Sequence, residues 1–238
     1  MRKRIKAAIA VALLGVATPA LAQEVVVTAA RRGAYLNAEV NQSSSRPIIN
    51  LRRTADFAVQ PAQIIGDTRE ELKRHEEIYA MLRGAIELAD KHGVELAIGD
   101  YIVEPLTLAN YKNLALGGGG RSDTNVARFL IKAKLVAGMD AKTALERITK
   151  FTKAVPAVGR AEIESLGALT LSVVNPDQYR AQITDLIVAD AAATAAKFGP
   201  DYGVQATGLD RPVEWARASL TEVFLYLPAA YTVVPKPR

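Results

Sequence analysis

Residues 68–92 carry the clearest periodicity in the chain. Leu72, His75, Tyr79, Leu82, Ile86 and Ala89 recur at alternating spacings of three and four, which predicts a helix with one apolar side. Asp67 stands where it can cap the start, and Gly93 where the chain can turn away at the end. A second helix is expected from about Ala141 to Val155, capped by Asp140, with Ala144, Leu145, Ile148 and Phe151 on one side. A third opens at Asn175-Pro176, a cap residue followed by proline in the first turn, and stops at Gly199-Pro200 after Phe198. Its block from Ala189 to Ala196 is rich in small residues, so this helix can approach a sheet closely.

Between these helices the period falls to two. The stretch from Ile48 to Ile65 alternates loosely and is interrupted by Pro61, which predicts a strand with a bulge or an edge position. Val94 to Leu108 is extended, and Gly117 to Gly120 mark a hairpin tip. Beyond it Phe129, Ile131, Ala133 and Leu135 alternate with Arg128, Lys132 and Lys134, the pattern of a half-buried strand with a wet outer face. Another strand ends at Leu169, Leu171 and Val173. Two last strands are expected over Gly203 to Trp215 and Leu220 to Val234. The order is β-α-β-β-α-β-α-β-β. Such a mixed order, without a run of βαβ repeats, predicts an α+β fold in which helices cover a mixed or antiparallel sheet.

The first 22 residues follow a different rule. Arg2, Lys3, Arg4 and Lys6 precede the apolar run from Ala7 to Val16 and the small-residue pattern Ala20-Leu21-Ala22, the layout of an export signal cleaved before Gln23. The whole chain has 30 Lys+Arg against 25 Asp+Glu, a net +5. Removing the signal takes four of those bases and no acid, so the mature chain falls to +1 and offers no broad cationic surface for nucleic acid. The expected address is the periplasm, with a possible association with the outer membrane. No cysteine is present, so stability there rests on burial rather than disulfides, and no lipid-anchor cysteine follows the cleavage site. The apolar run of the signal is shorter than the roughly 20 residues needed to span a bilayer, so no integral membrane segment is expected in the mature chain. Low aromatic content and three helical patterns argue against an outer-membrane barrel.

From Gln23 a β-prone piece leads into a polar stretch through Asn37, Asn41, Gln42 and Ser43 to Pro47, which has the composition of a flexible tether. The piece Glu24-Val25-Val26-Val27-Thr28-Ala29-Ala30-Arg31-Arg32 resembles the TonB box at the mature N-terminus of TonB-dependent outer-membrane receptors. A β-branched segment on a tether can add as a strand to a partner's open sheet edge, where main-chain hydrogen bonds supply affinity. Glu24, Val25, Val26, Val27, Thr28 and Ala29 are therefore the candidate partner-binding residues, with the TonB C-terminal domain as the implied partner.

The remaining length, about residues 48–234, resembles the SIMPL domain family of secreted bacterial envelope proteins. The resemblance rests on the helix Thr68 to His92 followed by extended Val94 to Leu108, and on Asn125 to Ala137 leading into a short helix. It rests also on Tyr179-Arg180 with Leu186, Ala189-Asp190-Ala191 and Ala195 in one helix, Gly203-Val204, and the closing Tyr231-Thr232-Val233-Val234. Arg52-Arg53-Thr54-Ala55 and Pro61-Ala62 stand where the family commonly carries a glycine-rich turn and a Pro-Asp pair. The resemblance implies an α+β envelope domain, often without enzymatic activity, sometimes tied to stress tolerance or oligomeric assembly. The polar tail is residues 235–238.

Candidate chemistry is sparse. The run Gly117 to Gly120 with Arg121-Ser122-Asp123 lacks the Gly-Lys-Ser/Thr ending of a phosphate loop and precedes a strand, so it reads as a hairpin tip. His75 and His92 are the only histidines; His75 reads as a packing residue and His92 as a favourable charge at a helix C-terminus. Glu70, Glu71, Glu76 and Glu77 with Lys73 and Arg74 read as a solvated, mutually paired surface. Trp215, Tyr226 and Tyr231 are candidates to line a small pocket. The expectation is a non-enzymatic periplasmic protein that acts through protein contacts and can form a homo-oligomer, with no catalytic residue, cofactor or metal. A ligand-binding module near Trp215 and a hydrolase are the alternatives.

Overall fold

Two ten-residue runs with apolar positions on both faces form the spine of the molecule, in a computed structural model that describes residues 24–27, 48–99 and 102–237, of which 24–27 and 102 by backbone course alone. The strands in chain order are β1 (Glu24–Val27), β2 (Leu51–Thr54), β3 (Phe57–Gly66), β4 (Val94–Ile98), β5 (Ile102–Pro105), β6 (Gly117–Gly118), β7 (Asn125–Lys134), β8 (Glu162–Ser165), β9 (Thr170–Val174), β10 (Tyr202–Thr207), β11 (Glu214–Arg217), β12 (Glu222–Tyr226) and β13 (Ala230–Pro235). The helices are α1 (Glu71–Ala89), α2 (Ala141–Ala154) and α3 (Arg180–Ala196). The protein is α+β. All pairings among the described residues are antiparallel.

The spine is β3 against β7, from Phe57 opposite Lys134 to Gly66 opposite Asn125. β7 also pairs with β4, β4 with β5, β5 with β1, β1 with β9, and β9 with β3. These pairings return to their starting strand and close a six-stranded ring, with β8 and β6 attached outside it. One face of the ladder, through Ala58, Ile64, Ala127, Phe129, Ile131, Leu96 and Leu171, packs against the helices in the main core. The other carries a smaller cluster of Phe57, Val59, Ala97, Val103 and Leu130. Burial of apolar surface on both faces drives this layering.

The second face corrects the expectation of a wet exterior on β7. Lys132 is only 5% exposed, with its ammonium 3.2 Å from Glu95 Oε2 and 4.0 Å from the centre of the Phe57 ring. Arg128 and Lys134 do face water. Pro61 lies inside the sheet rather than at an edge, opposite Leu130 of β7 on one side and, on the other, at the irregular stretch where residues 60–61 face residues 166–169. Its carbonyl accepts from Leu166 N, which shows that its own missing N–H points to the side where β3 changes partner from β9 to β8. The rung to β7 at Pro61, opposite Leu130, is kept.

Helix α2 matches its pattern, with Ala144, Ile148 and Phe151 buried and Asp140 accepting from Thr143 N at 2.7 Å, although Leu145 is exposed. Helix α1 is rotated relative to its pattern. It buries Arg74, Glu77, Ile78, Met81, Leu82, Ala85 and Ala89, while Leu72 is 74% exposed. Asp67 does not cap this helix; it pairs with Arg160 through two contacts of 2.6 and 2.7 Å. Beyond α1 a single 3-10 turn ends at Gly93, whose φ of 63° releases the chain into β4.

The two long terminal runs are each cut in two. β10 pairs with β13 in a two-stranded ribbon, whereas β11 and β12 join β2 in a three-stranded sheet. Both runs therefore break where the chain changes sheets. At that crossing Gly208 has a φ of +78°, and a Cβ there would stand 2.5 Å from the Pro228 carbonyl oxygen, so only glycine fits without a shift. The residues of the expected signal, 1–22, and most of the expected tether lie outside the described residues.

Candidate functional site

The N-terminal segment expected to be free is in part engaged. Glu24–Val27 forms β1 and fills the gap between β5 and β9, with Glu24 opposite both Val103 and Val174, Val25 opposite Ile102 and Val173, Val26 opposite Ser172 and Val27 opposite Leu171. This corrects the picture of an unpaired tether for those four residues. The physical reason is plain: β5 and β9 each have one open edge on that side, and a β-branched segment satisfies their main-chain groups. Thr28 and Ala29 lie outside the described residues.

The gap is held open by rigid neighbours. β5 is anchored through β4 to the spine, and β9 is fixed to β3 by three rungs from Phe57 to Val59. Asp56, in the break between β2 and β3, accepts from Val174 N at 2.8 Å and from the Arg53 guanidinium at 2.8 Å. Gln60, almost fully buried, donates to the Leu166 and Gly167 carbonyls and so fixes the turn that feeds β9. The wall along β9 is thus built by side chains as well as by ladder bonds.

A dense polar cluster lies at the start of α1. Arg74 donates to Asn125 Oδ1 and to the Thr68 carbonyl, both at 2.6 Å. Glu77, 8% exposed, accepts from Thr68 Oγ1 at 2.5 Å and from Arg160 N at 3.2 Å. The Thr68 hydroxyl, foremost, and the Arg160 amide hold its carboxyl below the ordinary carboxylate range. Gly159, with φ +57°, closes over this carboxylate so tightly that a Cβ would lie 2.2 Å from it. Every charge here has fixed protein partners, so the cluster is a latch tying helix to sheet. Sequence reasoning placed Glu77 on a solvated surface; the three-residue spacing of Arg74 to Glu77, in line with Ile78, Met81 and Leu82, was the available signal for a polar pair on a buried face.

The aromatic candidates are not brought together. Trp215 is opposite Leu225 and Tyr226 opposite Glu214, successive rungs that face opposite sides of one sheet. Tyr231 is in the other ribbon, donating to Asp190 at 2.6 Å and 3.1 Å from the Thr194 hydroxyl. Burial, and next the Glu214 carboxylate, push the Tyr226 phenol up to about 12. An apolar groove runs between α3 and β10. It has a volume of about 560 Å³ and is lined by Ile187, Ala191, Ala195, Tyr202 and Val204, with Lys236 at its rim.

The glycine run supplies β6 and its turn, where a Cβ on Gly119 would lie 2.8 Å from that of Thr124. His75 Nε2 is buried 3.9 Å from Glu71 Oε1, and the His92 ring meets Phe151 edge-on at 6.0 Å. Among the described residues no three His, Cys, Asp or Glu side chains form a metal-ligand group, and no helix is long and apolar enough to cross a membrane.

The chain matches no family model and no curated protein. Among solved structures it is similar to an uncharacterized conserved protein from Listeria innocua, 12% identical over 82% of this chain and 98% of that one, with a TM-score of 0.17. A likeness of that size carries no argument about fold or function.

Proposed function

We propose that this chain is a non-enzymatic, SIMPL-like protein of the periplasm that works through protein contacts in envelope stress tolerance or outer-membrane assembly, with its N-terminal strand as the pairing element. The observation that supports this reading is the use of Glu24–Val27 as a strand on both of its edges at once. A segment that pairs on both sides within its own sheet has the backbone habit needed to add to another. The partner in this reading is the C-terminal domain of TonB, and the strand's own gap competes with it.

Retention of the mature chain on the immobilised TonB C-terminal domain tests the reading. The chain with residues 23–32 is expected to be held and the chain without them to pass through. Equal retention of the two removes TonB as the acceptor.

A second reading, a periplasmic small-ligand module, is favoured by the apolar groove between α3 and β10. Concave apolar sites of this size take small apolar molecules. Native mass spectrometry of protein purified from the periplasm decides it: a bound apolar mass of uniform composition supports the module, and bare protein rejects it.

A further inference from the structure

We propose that β1 is an exchangeable strand whose acceptor is a second copy of this chain, so that the N-terminal strand of one molecule fills the gap between β5 and β9 of another. Like the functional reading above, this needs β1 to be a pairing strand, but it names a different acceptor and goes beyond TonB. β1 bridges β5 and β9 in the ring; among the described residues β5 is otherwise paired only to β4, and β9 only to β3. Delivery of β1 to a foreign sheet leaves two strand edges open, which folded proteins avoid. Delivery to a second copy leaves none, because the incoming strand has the same sequence and restores every rung.

The connection permits it. Residues 28–50, 23 residues, join β1 to β2. Fully extended they span about 75 Å at roughly 3.3 Å per residue, against a radius of gyration of about 17 Å for a domain of this length. The same strand can reach its own gap or a neighbour's. β1 precedes every other described element, and cleavage before the expected Gln23 leaves it beside a free end, so it enters and leaves the gap without threading a loop. Its ladders are short, four rungs to β9 and two to β5. Exchange of an identical element is a low-cost route to closed dimers.

The chain has no cysteine, so disulfides report the exchange cleanly. Val26 stands opposite Ser172, at a separation that suits a disulfide. Mature V26C and S172C proteins, mixed and oxidised, are expected to give a covalent dimer at about tenfold or more the yield of V26C mixed with K142C, whose cysteine is on exposed α2. The yield rises with protein concentration. The double variant V26C/S172C, dilute, closes within one chain. Equal yields from the two mixtures, or failure of the dilute double variant to close, overturns the proposal. Light scattering of the unaltered mature chain needs no substitution: a concentration-dependent dimer that disappears on removal of residues 23–32 is expected, and a monomer at every concentration overturns it. Neither measurement involves TonB, so the two acceptors fail or succeed separately.

Discussion

Tyr226 shows how much a single side chain owes to its sheet. Its hydroxyl donates to Glu214 Oε2 at 3.2 Å on a half-buried rung, and burial first, the carboxylate second, disfavour the phenolate. A raised folded value means that the proton is held more tightly in the folded state than in the unfolded one. The resulting stabilisation is complete below the ordinary tyrosine value of 10.0 and is lost as pH rises through about 12. A titration followed by phenolate absorbance should therefore show a late ionisation step near pH 12, and Tyr226→Phe should abolish it. Coincident ionisation of wild type and Y226F at high pH would remove the burial argument. Lys132 has the same lesson in reverse sign: a cation on a covered face is tolerated because Glu95 and the Phe57 ring receive it.

Elements differ in how far their own residues dictate them. α2 was legible because its cap, its apolar side and its end are all local, and the third helix was legible from Asn175-Pro176 to Gly199 although its first turn is 3-10. The bounds of α1 were legible but its buried side was not, since the Thr68, Asn125 and Arg160 partners of Arg74 and Glu77 come from distant parts of the chain. The split of the two terminal runs depends on which sheet each half joins, a choice absent from alternation. The strand gap was half legible: Glu24–Val27 reads as β-prone, but nothing in it names β5 and β9. The latch gives a direct check at this scale. Gly159→Ala places a methyl group against the Glu77 carboxylate at a positive φ, and a loss of about 2 kcal/mol is expected, within the range for strained backbone. That corresponds to a fall in melting temperature of about 4–8 °C for a chain of this size. G159A melting with the wild type would show that the latch yields freely.

At the scale of the whole molecule, the ring places first and last together. Glu24 lies opposite Val174, with every other ring strand between them in the chain. A polypeptide that crosses a membrane or leaves a ribosome N-terminus first therefore presents its closing stave long before the frame exists to receive it. β3, β4, β5 and β7 can assemble as they emerge, yet β1 has no complete seat until β9 has followed, and the cost of bringing such distant segments together falls due at the end. Closure is thus set by the arrival of residues near Val174 rather than by the early strand itself. In that interval each nascent molecule carries a loose stave, and under the exchange proposed above the completion of seats in crowded, newly delivered chains is when a neighbour's stave competes with the molecule's own.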